Sequence, residues 1–230
     1  MQLIIILIAL TVGSAGSVAI AGSLLLLKQD KLDQISNYLL TLAGGTLLGA
    51  AYLGMLPKAV KLANNADSVF VLTLTGIVLF FITEKVILWR ACGNKQCERH
   101  NNASAPLILI GDALHNFIDG IIITTAFFTS LEFGVVVTLT VLFHEIPQEL
   151  ADFGILIKNG YSKSKALAYN MASGLTAFLG GLIAYFTLDS ARKFIPWVLA
   201  LSAASFTYIA LADLVPQMHK KQRLKILFFR

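Results

Sequence analysis

Between Arg99 and Lys158 the chain holds no lysine or arginine, yet six acids fall there: Asp112, Asp119, Glu132, Glu145, Glu149 and Asp152. They belong to two apolar runs of membrane-spanning length, from Ala105 to Ile157, joined by a short turn over residues 129–134. The first run contains GDALHNFIDG, with Asp112, His115, Asn116 and Asp119; the second contains FHEIPQELADFG, with His144, Glu145, Gln148, Glu149 and Asp152. An ionisable group at a bilayer midplane costs about 2.5–3.5 kcal/mol on insertion scales, so such groups face a bundle interior and serve a function. With no local cation from the chain, protons or a bound metal ion must balance the charge. Two of the four histidines sit among these acids, which favours a divalent metal over a bare proton relay.

The surrounding sequence fits that setting. Hydrophobic residues make up 57% and charged residues 13% of the chain, against about 25% charged in a soluble domain, and the mean hydropathy is +0.75. A span needs about 20 apolar residues. Seven fit in the 230 residues, at about 2–27, 35–56, 68–90, 105–128, 133–157, 166–188 and 195–215, which leaves no room for a soluble domain. The expected fold class is an all-α integral membrane protein, one polytopic transmembrane helix bundle over residues 1–230 with a cytoplasmic loop at about 91–104. The first segment starts at Gln2 without a basic region or a clear cleavage site and reads as a retained helix. The pI of 9.2 does not signal nucleic-acid binding, because the basic residues are spread over short loops as topology-setting charges. Small residues four apart, Gly13, Ser17 and Ala21, then Gly45 and Gly49, then Ser173, Ala177 and Gly181, imply tight bundling.

Loop charge sets the orientation. Loops after odd-numbered spans hold Lys28, Lys31, Arg90, Lys95, Arg99, Lys158, Lys163, Lys165, Lys220, Lys221, Arg223 and Lys225, whereas loops after even-numbered spans hold only Lys58, Lys61, Arg192 and Lys193. The positive-inside rule then puts the odd loops in the cytoplasm and the N-terminus outside, in the plasma (inner) membrane. Counting from the turn at about 1.5 Å per residue sets Asp119 about 15 Å and His144 about 16 Å deep, so the two motifs face each other at one depth.

Helix spacing orders the chemistry. His115 and Asp119 are four apart on one face with Asn116 beside them, and His144 pairs with Gln148 as Glu145 does with Glu149. Imidazole with carboxylate and amide oxygens makes a nitrogen and oxygen site for a divalent first-row metal, and the absence of thiolates suits an ion that must leave again. Pro147 removes the helical partner of the Phe143 carbonyl, so a kink is expected there, at a depth where freed backbone is tolerated only beside protein or a wet cavity. His144-Glu145-Ile146-Pro147-Gln148 is also close to the zinc-protease pattern H-E-x-x-H, but it has Gln148 for the second histidine and a proline inside the helix. An intramembrane metalloprotease is therefore one alternative, and a non-transporting metal-sensing subunit is another. Cys92, Cys97 and His100 share a loop with the spacing C-x4-C-x2-H, which matches no standard zinc module, and they remain weak candidates. Glu84 and Lys85 are expected to snorkel toward the inner interface.

These residues together resemble the ZIP (Zrt/Irt-like) family of metal-ion transporters, in particular the branch with HNxxD in the fourth span and HExPHE in the fifth. The likeness extends to FFITEKVILWR at 80–90, AYLGMLPKA at 51–59 and TYIALADLVPQ at 207–217. It implies a bundle of eight spans, often a homodimer, that carries zinc, or iron, manganese or cadmium, toward the cytoplasm, with no cofactor beyond the transported ion and no nucleic-acid partner. It also implies that His115, Asn116, Asp119, His144, Glu145 and Gln148 form an adjacent pair of metal sites, with Asp112, Glu149 and Asp152 along the pathway. Three departures from the family pattern follow. Gln148 replaces a histidine, Gly54 and Lys58 replace a histidine and an acid at the pore entrance, and the sequence ends where an eighth span is expected.

Overall fold

A computed structural model describes residues 1–63, 65–91, 105–190, 192–216 and 218, and those residues are helical almost throughout. The first span is interrupted: α1 (Gln2–Gly13) gives way to α2 (Ala15–Leu24) at Ser14. The Ser14 hydroxyl donates to the Gly174 carbonyl at 2.6 Å, and Gly174 closes α8 (Lys163–Gly174) just before α9 (Thr176–Ser190) restarts the helix. Two helix breaks therefore face each other inside the protein. Thr176 Oγ1 donates to the Ala113 carbonyl at 2.6 Å, and Ser173 Oγ donates to the Asp112 carboxylate, which ties the second break to α6 (Ala105–Thr129). Irregular backbone in a membrane is stable only where protein satisfies it, and here hydroxyls do so.

Prolines leave a different mark. α3 (Gln29–Gly49) widens into a π segment, Ala50–Met55, before α4 (Leu56–Leu62), and α10 (Ile195–Ile209) widens into another, Ala210–Leu214. Each π segment ends two residues before a proline, Pro57 or Pro216. A proline has no amide hydrogen for the carbonyl one turn back and its ring crowds that carbonyl, and a wider turn accommodates both effects. At Pro147 no such device is needed, because α7 (Leu131–Lys158) continues through it as a single helix. Ser130 starts α7 by accepting the Phe133 amide at 3.1 Å, the side-chain cap that satisfies an otherwise unpaired first-turn donor.

Helix α6 packs against α9 and α7, α7 also against α1, α2 and α3, and α10 against α4 and against α5 (Ala66–Ala91). The two motif helices thus lie at the centre. Their closeness to α9 rests on glycine: a Cβ at Gly120 would collide with the backbone of Ala177, and one at Gly180 with the backbone of Phe117. Across the same seam Thr124 Oγ1 donates to the Gly181 carbonyl at 3.2 Å.

The protein is an all-α integral membrane protein. Five stretches have both the length and the apolarity to cross a membrane: Gln2–Leu24, Asp30–Leu62, Ala66–Val86, Lys163–Leu188 and Arg192–Ala212. Of the seven spans expected from sequence, the other two run along α6, with 25 residues, and α7, with 28, which do not reach that apolarity over the described residues searched. Their polar motif residues lower it, and those residues point inward: Asp112, Asn116, Asp119, His144, Glu145 and Glu149 are all buried. Outward, α5 exposes Phe70, Val71, Leu74, Val78, Phe81 and Ile82, the face a lipid-contacting helix needs.

The glycine seam generates a stability contrast. Gly120→Ala should lower the thermal midpoint of the purified protein by the equivalent of about 1–3 kcal/mol, the usual cost of overpacking. Gly45→Ala, whose Cβ meets nothing within 4 Å, should leave the midpoint unchanged or slightly raised. Equal midpoints in a fluorescence-detected melting series would refute the seam.

Candidate metal centre

Helices α6 and α7 bring four ligand-type side chains to one point. His115 Nε2 lies 3.1 Å from Glu145 Oε1 and 3.7 Å from Asp119 Oδ2. His144 Nε2 lies 3.1 Å from Asp119 Oδ2 and 3.6 Å from Glu145 Oε1, and the two imidazole Nε2 atoms are 3.2 Å apart. One ligand atom from each of the four residues falls within 4.8 Å of all the others. His115 keeps a small exposed fraction, whereas Asp119, His144 and Glu145 are fully enclosed.

The protonation logic of His144 follows from its neighbour. Its Nδ1 stands 3.0 Å from the Thr140 carbonyl one turn earlier on α7. A carbonyl only accepts, so Nδ1 donates to it, and Nε2 is left facing Asp119 and His115. Among the described residues, none of the four oxygens of Asp119 and Glu145 receives a hydrogen bond. Histidines are also their only ion-pair partners there. Two imidazole Nε2 atoms and two carboxylates therefore converge, and carboxylates this close repel each other until a cation or protons come between them. Phe206 packs edge-on against His144 at 5.6 Å and shields that side from water.

The other motif residues gather around Asp112 instead. Asn116 Nδ2 donates to Asp112 Oδ1 at 3.1 Å and Gln148 Nε2 donates to the same oxygen at 3.1 Å, while Ser173 takes the second oxygen. Gln148 shares a helix face with His144, as its spacing required, yet its amide nitrogen is engaged with Asp112. Glu149 is fully buried and Asp152 nearly so, further along α7. Cys92, Cys97 and His100 lie outside the described residues. Sequence reasoning did not single out Thr140, Asn170 or Phe206. Thr140 alone left a signal, its place four residues before His144.

Near the start of α7 the two departures Gly54 and Lys58 have a packing role. A Cβ on Gly54 would press on the Phe133 ring, and Lys58 Nζ stands 4.6 Å from the centroid of that ring. They line a cavity of about 630 Å3 that also touches Ser130, Glu132, Phe133 and Thr140 and so reaches the residue that orients His144.

A polytopic helical bundle that encloses a nitrogen and oxygen cluster for a cation at its centre defines a class, the membrane proteins that handle metal ions. Residues 90–229, more than half of the chain, match the family described as ZIP Zinc transporter, and the chain belongs to that family. Mouse "Zinc transporter ZIP10" is 38% identical over 112 residues, which is 49% of this chain and 13% of that protein. Mouse "Zinc transporter ZIP4" is 41% identical over 124 residues, 53% of this chain and 19% of that protein, and Drosophila melanogaster "Zinc transporter foi" is 40% identical over 117 residues, 51% and 16%. This chain spans less than a fifth of the length of these relatives.

The four converging side chains generate a prediction about stability. Zinc at a hundredfold excess over its dissociation constant should stabilise the solubilised protein by about 2.7 kcal/mol through mass action. Asp119→Asn, which removes one charge at nearly constant shape, should cut that gain, and an undiminished melting shift would take Asp119 out of the site.

Proposed function

We propose that this protein carries a divalent metal ion, zinc foremost and iron, manganese or cadmium as related cargo, across the membrane toward the cytoplasm. His115, Asp119, His144 and Glu145 hold the ion, with Asn116 and Gln148 beside it. The observation that carries this reading is the meeting of the Nε2 atoms of His115 and His144 with Asp119 and Glu145, whose oxygens receive no other hydrogen bond from the described residues. Family membership and the printed names of the relatives support zinc as the first cargo. A proteolytic reading finds less support, since the position that would need a second histidine is Gln148, with its amide on Asp112. The rest of the reading comes from loop charge and family likeness: a single transmembrane domain, an N-terminus outside, a plasma-membrane location and a homodimer.

Zinc uptake into proteoliposomes tests the function directly. The full chain should raise uptake above empty vesicles, and His144→Ala should weaken the apparent affinity at least about tenfold, equivalent to about 1.4 kcal/mol. Flux at background level rejects transport. The pH dependence has a fixed sign: imidazole and carboxylate bind metal only after losing protons, so affinity should fall as pH falls, by up to about tenfold per unit for each proton displaced. An affinity that stays flat from about pH 8 to about pH 5 contradicts the ligand set.

Orientation has its own readout. A cysteine replacing Ser130, at the start of α7, should react with a membrane-impermeant thiol reagent added outside intact cells, and Cys92 and Cys97 should not. The opposite labelling inverts the topology and the direction of transport.

A further inference from the structure

We infer that Phe206 of α10 sets how strongly the metal centre prefers zinc to manganese, by holding the His144 imidazole in place; this rests on the metal-binding reading above. Its ring carries no ligand atom, so the role is one of positioning. His144 is held on two sides. Nδ1 bonds to the Thr140 carbonyl at 3.0 Å, but a single hydrogen bond tolerates a tilt of the ring, since it weakens steeply only below about 120°. Phe206 limits that tilt: the two ring centroids are 5.6 Å apart with their planes at 66°. Phe206 is 0% exposed and His144 1%, so neither ring has solvent to move into. His115 lacks such a hold. Among the described residues its hydrogen-bond and ion-pair contacts all run through Nε2, and its one ring contact is His144 itself.

The wall behind His144 is anchored away from the cluster. Tyr208, two residues beyond Phe206, donates its hydroxyl to Glu84 of α5 and stacks on Phe80 with 6.3 Å between ring centroids. Thr73 of α5 donates to the Ala200 carbonyl at 3.3 Å, and a Cβ on Gly76 would come within 2.7 Å of Ala204. Helix α10 is thus fixed against α5, which supplies none of the four ligand-type side chains.

Donor chemistry turns this hold into selectivity. Imidazole nitrogen favours zinc, whereas carboxylate oxygen also suits manganese. Without the Phe206 ring the two carboxylates keep their own supports, while His144 Nε2 is free to leave its place 3.1 Å from Asp119 Oδ2. Zinc then loses more than manganese. A general loss of stability would weaken both ions alike, so the ratio of their dissociation constants reports the position of His144 rather than the soundness of the fold.

Equilibrium dialysis of zinc and of manganese against the detergent-purified full chain tests this. Phe206→Leu and Phe206→Ala, which cut the wall back in two steps, should lower the zinc preference by about threefold and about tenfold. His144→Ala should remove most of the preference, and Phe206→Ala added to it should change the ratio no further, because a residue that acts through another is not additive with it. A ratio unmoved by both Phe206 changes, while His144→Ala collapses it, overturns the positioning role and leaves the metal centre standing. A further fall when Phe206→Ala is added to His144→Ala also overturns it. A ratio that His144→Ala itself does not move takes His144 out of the site and overturns both readings. If Phe206→Ala yields no folded protein, Phe206→Leu decides, and an unchanged ratio there rejects the proposal.

Discussion

Everything in this bundle is arranged around negative charge that the chain itself does not neutralise. Asp119 and Glu145 are enclosed by protein, and among the described residues their only ion-pair partners are two histidines. Moving a lone carboxylate into such surroundings costs several kcal/mol even after relaxation. The two lie where α6 and α7 pack against each other and against α9, α1, α2 and α3. A site that repels itself when bare binds a cation with the repulsion relieved, and the same repulsion keeps protons competing for it.

The scaffold around that cluster uses backbone irregularity rather than extra polar side chains. Ser14 and Gly174 pair two helix breaks, and the residues on either side of the second break, Ser173 and Thr176, bond to Asp112 and to the Ala113 carbonyl. Asp112 is thereby linked to α8 by a hydroxyl, to α7 by Gln148 and within α6 by Asn116. A helix break in contact with a buried carboxylate is a natural hinge, since its few hydrogen bonds are side-chain bonds that re-form at low cost. Continuous helices α6 and α9 pack closely beside it at Gly120 and Gly180.

Much of this was legible in the sequence because it depends on periodicity and charge. The spacing of His115 with Asp119 and the equal depth of His144 bring the two motifs face to face, and the structure sets their imidazole nitrogens 3.2 Å apart. Other features depend on contacts between distant segments, which spacing does not encode. Gln148 sits on the expected face, but its amide finds Asp112, thirty-six positions away, at 3.1 Å. The break at Ser14 requires Gly174 as a partner, and the π segments before Pro57 and Pro216 look like ordinary helix in a hydropathy pattern. Pro147 shows the limit from the other side: the same residue type leaves α7 as one unbroken helix. Span counting met a related difficulty, because the polar motif residues of α6 and α7 lower the apolarity on which it depends.

Conduction demands a balance that one deep site does not provide. Binding must be strong enough to strip water from a divalent ion and weak enough to let it go, which is why pathways use several sites of graded strength. Along α7 the donor type changes from the nitrogen of His144 to the carboxylates of Glu145, Glu149 and Asp152. Zinc prefers a nitrogen donor more than manganese does, so His144 is the donor on α7 that separates the two ions most. Glu145 belongs to two groups of ligand-type side chains, one with His115, Asp119 and His144 and one with Asp112 and Glu149, so a single carboxylate joins them.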